Sequence, residues 1–289
     1  GVTNELNFTA SGEMDNGYTW SYSMELDPGA TSPTTETSTG DTQSAQNDDT
    51  KLTLSTPMGT VGVFISEGGL DLEDGASQSV YSRPTDSGDP SATIDNYSID
   101  SYNNVMYTSP ADLLPLSTVI KLAYAPDLDT TQNSGNAAGV EQVEGTSTYV
   151  GRSMTATRVD MTPIDGLTIG YAEGENKQTA AAFDEQSTMF LKYAYGPVTV
   201  GYQTAESDVQ GGATSDADTL IYGISYAVND DLSVSYGVHE YEYGDTSAVD
   251  QESSGVSISY TMGSMSIKGY QTDTDNPGWD SDAQSDEIT

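Results

Sequence analysis

Eight basic residues stand against 45 acidic ones in this chain of 289 residues, and six of the eight sit in segments where apolar and polar residues alternate. These are Lys51, Lys121, Arg152, Arg158, Lys192 and Lys268. The alternation assigns each of them to the polar face of its segment, and Arg152 and Arg158, six positions apart, share one face. The acidic counterpart is the stretch 67–101, which holds Glu67, Asp71, Glu73, Asp74, Asp86, Asp89, Asp95 and Asp100, with Arg83 as its only base. Opposed charges of this kind can set a transverse field across a narrow aqueous passage, orienting dipolar solutes and slowing apolar ones. Bases scattered among carboxylates that merely balance them fit the same residues.

Bond-making chemistry finds little support. His239 is the sole histidine and there is no cysteine. A serine–histidine–carboxylate site would need a positioned serine and a pocket, and no nucleophile elbow is present, so no enzyme is expected. No glycine-rich loop follows a strand and opens a helix, which leaves nucleotide binding unsupported. Asp273, Asp275, Asp280 and Asp282 have the look of a calcium loop with Gly278 at its sixth position. Such a loop ends on a bidentate glutamate, whereas Pro277 stands at the fifth position and Gln284 at the twelfth. No cofactor is expected, with structural Ca2+ or Mg2+ at the acidic loops the one candidate. A net charge of −37 repels phosphates and argues against nucleic acid.

The elements that hold these residues read as strands. Only 35% of the chain is hydrophobic, with nineteen tyrosines. Globular chains usually reach roughly 45–50%, so the apolar residues must be concentrated on chosen faces. They recur at every second position, the period of a strand with two unlike faces, as in Tyr18/Trp20/Tyr22/Met24/Leu26 and Leu220/Tyr222/Ile224/Tyr226/Val228. No apolar run is long enough for a membrane helix.

The pattern predicts strands at 4–12, 18–26, 50–57, 60–66, 102–108, 117–124, 147–161, 167–174, 187–195, 198–205, 218–228, 232–242, 254–261 and 264–272. A fifteenth begins near Asp286 and is cut at Thr289. Short connections (13–17, 58–59, 109–116, 162–166, 196–197, 229–231 and 262–263) alternate with long ones (27–49, 67–101, 125–146, 175–186, 206–217, 243–253 and 273–284). Tight turns at one end and long loops at the other mark an up-and-down transmembrane barrel. Tyrosines near strand ends suit the interfacial girdles of such a barrel, Tyr195, Tyr226 and Tyr260 at the turn end and Tyr124, Tyr171 and Tyr202 towards the other. A soluble sandwich also alternates, but it would need connections that cross between sheets.

The hairpins Lys51–Ser66 (KLTLSTPMGTVGVFIS), Leu167–Gly174, Ser187–Ala205 and Asp218–Glu240, with the tetrad Asp286-Glu287-Ile288-Thr289 as the start of a closing strand, resemble the general diffusion porins of Gram-negative outer membranes, in the style of acidic marine alphaproteobacterial ones. The resemblance covers the whole chain as one β-barrel domain, 1–289. It implies about sixteen antiparallel strands with short periplasmic turns and long external loops. On that count the first strand is missing, the last is truncated, and 67–101 is the third external loop, folded into the lumen as the constriction. It further implies passive diffusion of small polar solutes and ions, a homotrimer, and contact with outer-membrane lipid and lipopolysaccharide. The competing reading is a divalent-cation-binding surface adhesin or coat protein of β-structure.

Overall fold

The computed structural model describes residues 6–27, 46–65, 68–70, 72, 99, 103–126, 153–179, 182–209, 216–244, 249–276 and 284–288. They form one antiparallel sheet of fifteen strands, each paired with the next in sequence. The strands are β1 (Leu6–Glu13), β2 (Thr19–Asp27), β3 (Gln46–Thr56), β4 (Gly59–Ile65), β5 (Asn104–Thr108), β6 (Val119–Ala125), β7 (Ser153–Ile164) and β8 (Leu167–Thr179). They continue with β9 (Ala182–Tyr195), β10 (Val198–Val209), β11 (Ala217–Ala227), β12 (Leu232–Tyr243), β13 (Gln251–Met262), β14 (Met265–Asp275) and β15 (Gln284–Ile288). β1 and β15 are the sheet edges, and no pairing joins them among the described residues.

The two faces of the sheet are inverted relative to a water-soluble protein. Along β13, Val256 and Ile258 are 55% and 49% exposed, whereas Ser253 and Ser257 are 0% and 6% exposed. The same contrast sets exposed Leu191, Tyr202, Tyr222, Ile224 and Tyr236 against buried Thr188, Gln203, Thr219 and Ser235. Exposed oily stripes need an apolar solvent, and a bilayer is that solvent. We call the apolar face outward and the opposite face inward.

Inward hydroxyls satisfy one another across strands: Ser21 with Thr53 at 2.6 Å, Ser235 with Ser257 at 2.7 Å, and Ser253 with Thr274 at 2.9 Å. Outward tyrosines keep a wet end. Tyr171 donates its hydroxyl hydrogen to Glu173 Oε2 at 3.0 Å and Tyr222 to Glu240 Oε1 at 3.3 Å, carboxylates nearer the long-loop end. At the turn end, Tyr195 is 73% exposed and stacks on Tyr193 with ring centroids 6.2 Å apart.

Five of the seven short connections turn on a positive-φ glycine, Gly17, Gly59, Gly166, Gly196 or Gly263. Gly59 has φ +126, and a Cβ there would run into the carbonyl oxygen of Thr108 and the Tyr107 ring, so only glycine fits. On the long-loop side the strands outrun the expected boundaries. β8 reaches Thr179 and β9 starts at Ala182, so most of the loop expected at 175–186 is a paired hairpin. β10, β13 and β14 extend likewise to Val209, back to Gln251, and to Asp275. Past the lipid both faces are polar, so alternation stops while backbone pairing continues.

Candidate pore lining

The inward face can be read as rows of register-paired residues. One row runs Thr60, Thr108, Lys121, Arg158, Ala172, Thr188, Ala205, Thr219, Tyr241 and Gln251 across β4 to β13. Lys121 and Arg158 are therefore direct cross-strand neighbours. Arg158 is only 5% exposed. Its Nε donates to both carboxylate oxygens of Asp160 at 3.0 Å, and its guanidinium carbon lies 5.3 Å from the centre of the Phe190 ring. Gly170 makes room for that ring, since a Cβ there would collide with Phe190 Cε1. Guanidinium over an aromatic face is a favourable contact, so Arg158 is fixed between a carboxylate and a ring.

The other expected bases are placed as follows. Lys51 is on β3, paired with Ser23 and Phe64; Lys192 is on β9, paired with Thr168 and Gly201; and Lys268 is on β14, paired with Ser259. By strand parity all three lie on the inward face, as do Lys121 and Arg158. Arg152 lies outside the described residues, and so do Glu67, Asp71, Glu73, Asp74, Asp86, Asp89, Asp95 and Asp100. His239 is inward on β12, between Ile221 and Ser253. Asp273 and Asp275 are exposed on the outward face of the paired strand β14 rather than in a loop, and Asp280 and Asp282 lie outside the described residues. Among the described residues no group of three or more His, Cys, Asp or Glu is placed to hold a metal.

Sequence reasoning missed what holds the segment between β4 and β5. Leu70, Leu72 and Ile99 are 1%, 2% and 0% exposed, in one apolar cluster with Ala123 and Ala125 of β6, Met154 and Ala156 of β7, and Ala172 of β8. These strand residues occupy inward positions where β9 to β13 carry mostly hydroxyls, amides and glycine. Gly174 completes the seat, because a Cβ there would lie 3.1 Å from Leu72 Cδ1. Asn104, inward at the start of β5, donates through Nδ2 to the carbonyls of Gly68 (2.7 Å) and Ile99 (3.2 Å), tying both ends of the segment to the wall. The available signal was alanine recurring at inward positions of neighbouring strands, which a lumen facing only water does not call for.

A meander of strands with an oily outer face and a polar inner face defines a transmembrane β-barrel of the outer-membrane type. The chain belongs to the Gram-negative porins, whose family profile matches residues 1–278. No curated protein matches it in sequence. Among solved structures it is similar to an anion-selective porin from Comamonas acidovorans, at 13% identity and TM-score 0.55 over 94% of this chain and 79% of that one. It is also similar to OmpT, an outer membrane protein of Vibrio cholerae, at 15% identity and TM-score 0.59 over 99% and 84%. A porin structure refined at 1.8 Å resolution matches at 17% identity and TM-score 0.58 over 98% and 90%. The chain is an outer-membrane porin: a channel, not an enzyme.

Proposed function

We propose that residues 67–101 narrow the lumen and that ions and small polar solutes pass between this segment and the basic inward residues. The observation that carries this is the burial of Leu70, Leu72 and Ile99 against inward alanines of β6 to β8. Burying a leucine or isoleucine side chain is worth about 1.5–3 kcal/mol, enough with the Asn104 bonds to hold the segment's two ends inside the barrel. The acids Glu67, Asp71, Glu73, Asp74, Asp86, Asp89 and Asp95 would then share the narrowed passage with the bases Lys51, Lys121, Arg152, Arg158, Lys192 and Lys268. Planar-bilayer recording tests the reading. Discrete current steps are expected, and deletion of residues 73–98 should enlarge them; unchanged step size would overturn the constriction.

The outward face supports a second part of the reading. Beyond the tyrosines, exposed acids pair directly across strands: Glu185 with Glu175 on one side and Asp208 on the other, and Asp218 with Glu206 on one side and Glu242 on the other. Like charges directly opposite are destabilising, and divalent cations shared with lipopolysaccharide phosphates would relieve them. A homotrimer belongs to the same proposal on the family resemblance, and crosslinking in native membranes should capture a three-chain species.

A further inference from the structure

The wall from β10 to β13 differs from the rest of the lumen. Its inward positions within 199–207, 217–227, 233–241 and 251–261 carry no Asp, Glu, Lys or Arg, in a chain with 45 acids. Across its middle four glycines stand in direct register: Gly201 with Gly223, Gly223 with Gly237, and Gly237 with Gly255. The row continues to Lys192 on β9 and Thr272 on β14. With strands spaced about 4.8 Å apart, the glycine row spans roughly 14 Å. Strand tilt makes it slope along the inward wall as a furrow in the side-chain relief, with Gly201, Gly237 and Gly255 buried and Gly223 half-buried.

Rows of side chains, polar except for Ile221, border the furrow. On the turn side lie Thr199, Ser225, Ser235 and Ser257; on the loop side lie Gln203, Ile221, His239 and Ser253. Three polar atoms along it have no hydrogen-bond partner: Gln203 Oε1, His239 Nε2 and Thr272 Oγ1. Gln203 is 2% exposed and Thr272 1%. The Gln203 amide is held in place from its other end, where Nε2 donates to Thr188 Oγ1 at 3.1 Å, and that hydroxyl donates to the Thr204 carbonyl. A buried polar atom left unpaired is costly, and a ligand that pairs it recovers the cost.

We infer that this furrow is a binding track for neutral, extended polyhydroxylated solutes such as short linear oligosaccharides. Missing Cβ atoms let a flat sugar ring approach the strand backbone closely. Solute hydroxyls, which both donate and accept, pair with the amide oxygen of Gln203, the imidazole nitrogen of His239 and the hydroxyl of Thr272. The absence of fixed charge along this wall removes the feature that would select an ion there. The inference rests on the chain forming an aqueous channel.

The test is current block in planar bilayers by a linear glucose oligosaccharide, with a charged uronate oligomer of equal length as comparison. Wild type should show reversible, saturable block by the neutral oligomer and little by the charged one. Gly223→Val with Gly237→Val, which fills the floor, should abolish the block. Gln203→Leu and Thr272→Val, which add no bulk and keep the inference testable should the valine variant fail to fold, should each raise the half-blocking concentration about fivefold, as expected for one lost hydrogen bond. Ser254→Ala on the outward face should change nothing. Unaltered block in these furrow variants, equal block by the uronate, or KCl current steps with no block at all would overturn the track. Absence of KCl steps in wild type would instead overturn the channel reading itself.

Discussion

Arg158 and Asp160 lie two residues apart on the inward face of β7, joined through Nε at 3.0 Å to both carboxylate oxygens. The base expected to act as a free positive charge on the wall is thus partly neutralised by its own strand. Two-residue spacing is the shortest that keeps two side chains on one face of a strand. The pair determines what substitution at either position should do to ion preference.

Arg158→Gln removes a positive charge beside Asp160, and Asp160→Asn removes a negative charge beside Arg158. A unit charge about 7 Å from an ion in water contributes about 0.6 kcal/mol. Because that energy acts on cation and anion with opposite sign, each substitution should shift the cation-to-anion permeability ratio by roughly 7-fold, the first towards cations and the second towards anions. Reversal potentials in a salt gradient check both signs. Equal reversal potentials for the two variants would mean that the pair does not face the ion path.

Asn104→Ala removes two hydrogen bonds to the ends of the inward segment, at Gly68 and Ile99. At about 1 kcal/mol each, their loss should raise the population with a displaced segment by roughly 30-fold. Larger and noisier single-channel currents are expected, with faster entry of larger sugars in liposome swelling. Leu72→Ser should act in the same direction, since it removes apolar area buried against Met154 and Gly174.

Ile224 and Ser225 are adjacent on β11 and face opposite ways, with Ile224 45% exposed on the apolar face. Ile224→Arg should cost about 2–4 kcal/mol near the bilayer midplane, whereas Ser225→Lys should fold nearly as well as wild type. Folding yield into lipid vesicles, read from the heat-dependent gel shift of a barrel, separates the two.

Removal of divalent cations should lower thermal stability through the outward acid rows. Chelation in low salt should reduce the melting temperature, and added Mg2+ should restore it. The difference should shrink in concentrated NaCl, where the Debye length falls to about 3 Å. A melting temperature indifferent to chelation would remove the divalent-bridge proposal and leave the channel untouched.

The meander and its two faces were legible in the sequence because lipid and water impose opposite demands at alternate positions. The glycine turns, Gly59 among them, were legible for a different local reason, the positive φ that favours glycine. Legibility failed where that contrast ends. Asp184, Asp208 and Asp275 lie on strands beyond the apolar belt, where backbone pairing continues without the alternation that marks a strand. It failed again where an inward residue meets the chain instead of water, as at Ala123, Ala156 and Gly174. Contacts between segments far apart in sequence, such as Asn104 with Gly68 or Arg158 with Phe190, leave no periodic trace.

The native chain has no cysteine, so single thiols can be placed without background. Ile258 and Ser259 are neighbours on β13 with opposite orientations. In lipid vesicles, a charged, membrane-impermeant thiol reagent should modify Ser259→Cys rapidly and reduce channel current, and should leave Ile258→Cys unmodified. Rapid modification of Ile258→Cys with protection of Ser259→Cys would show that the oily stripes meet water, contradicting the account at its base.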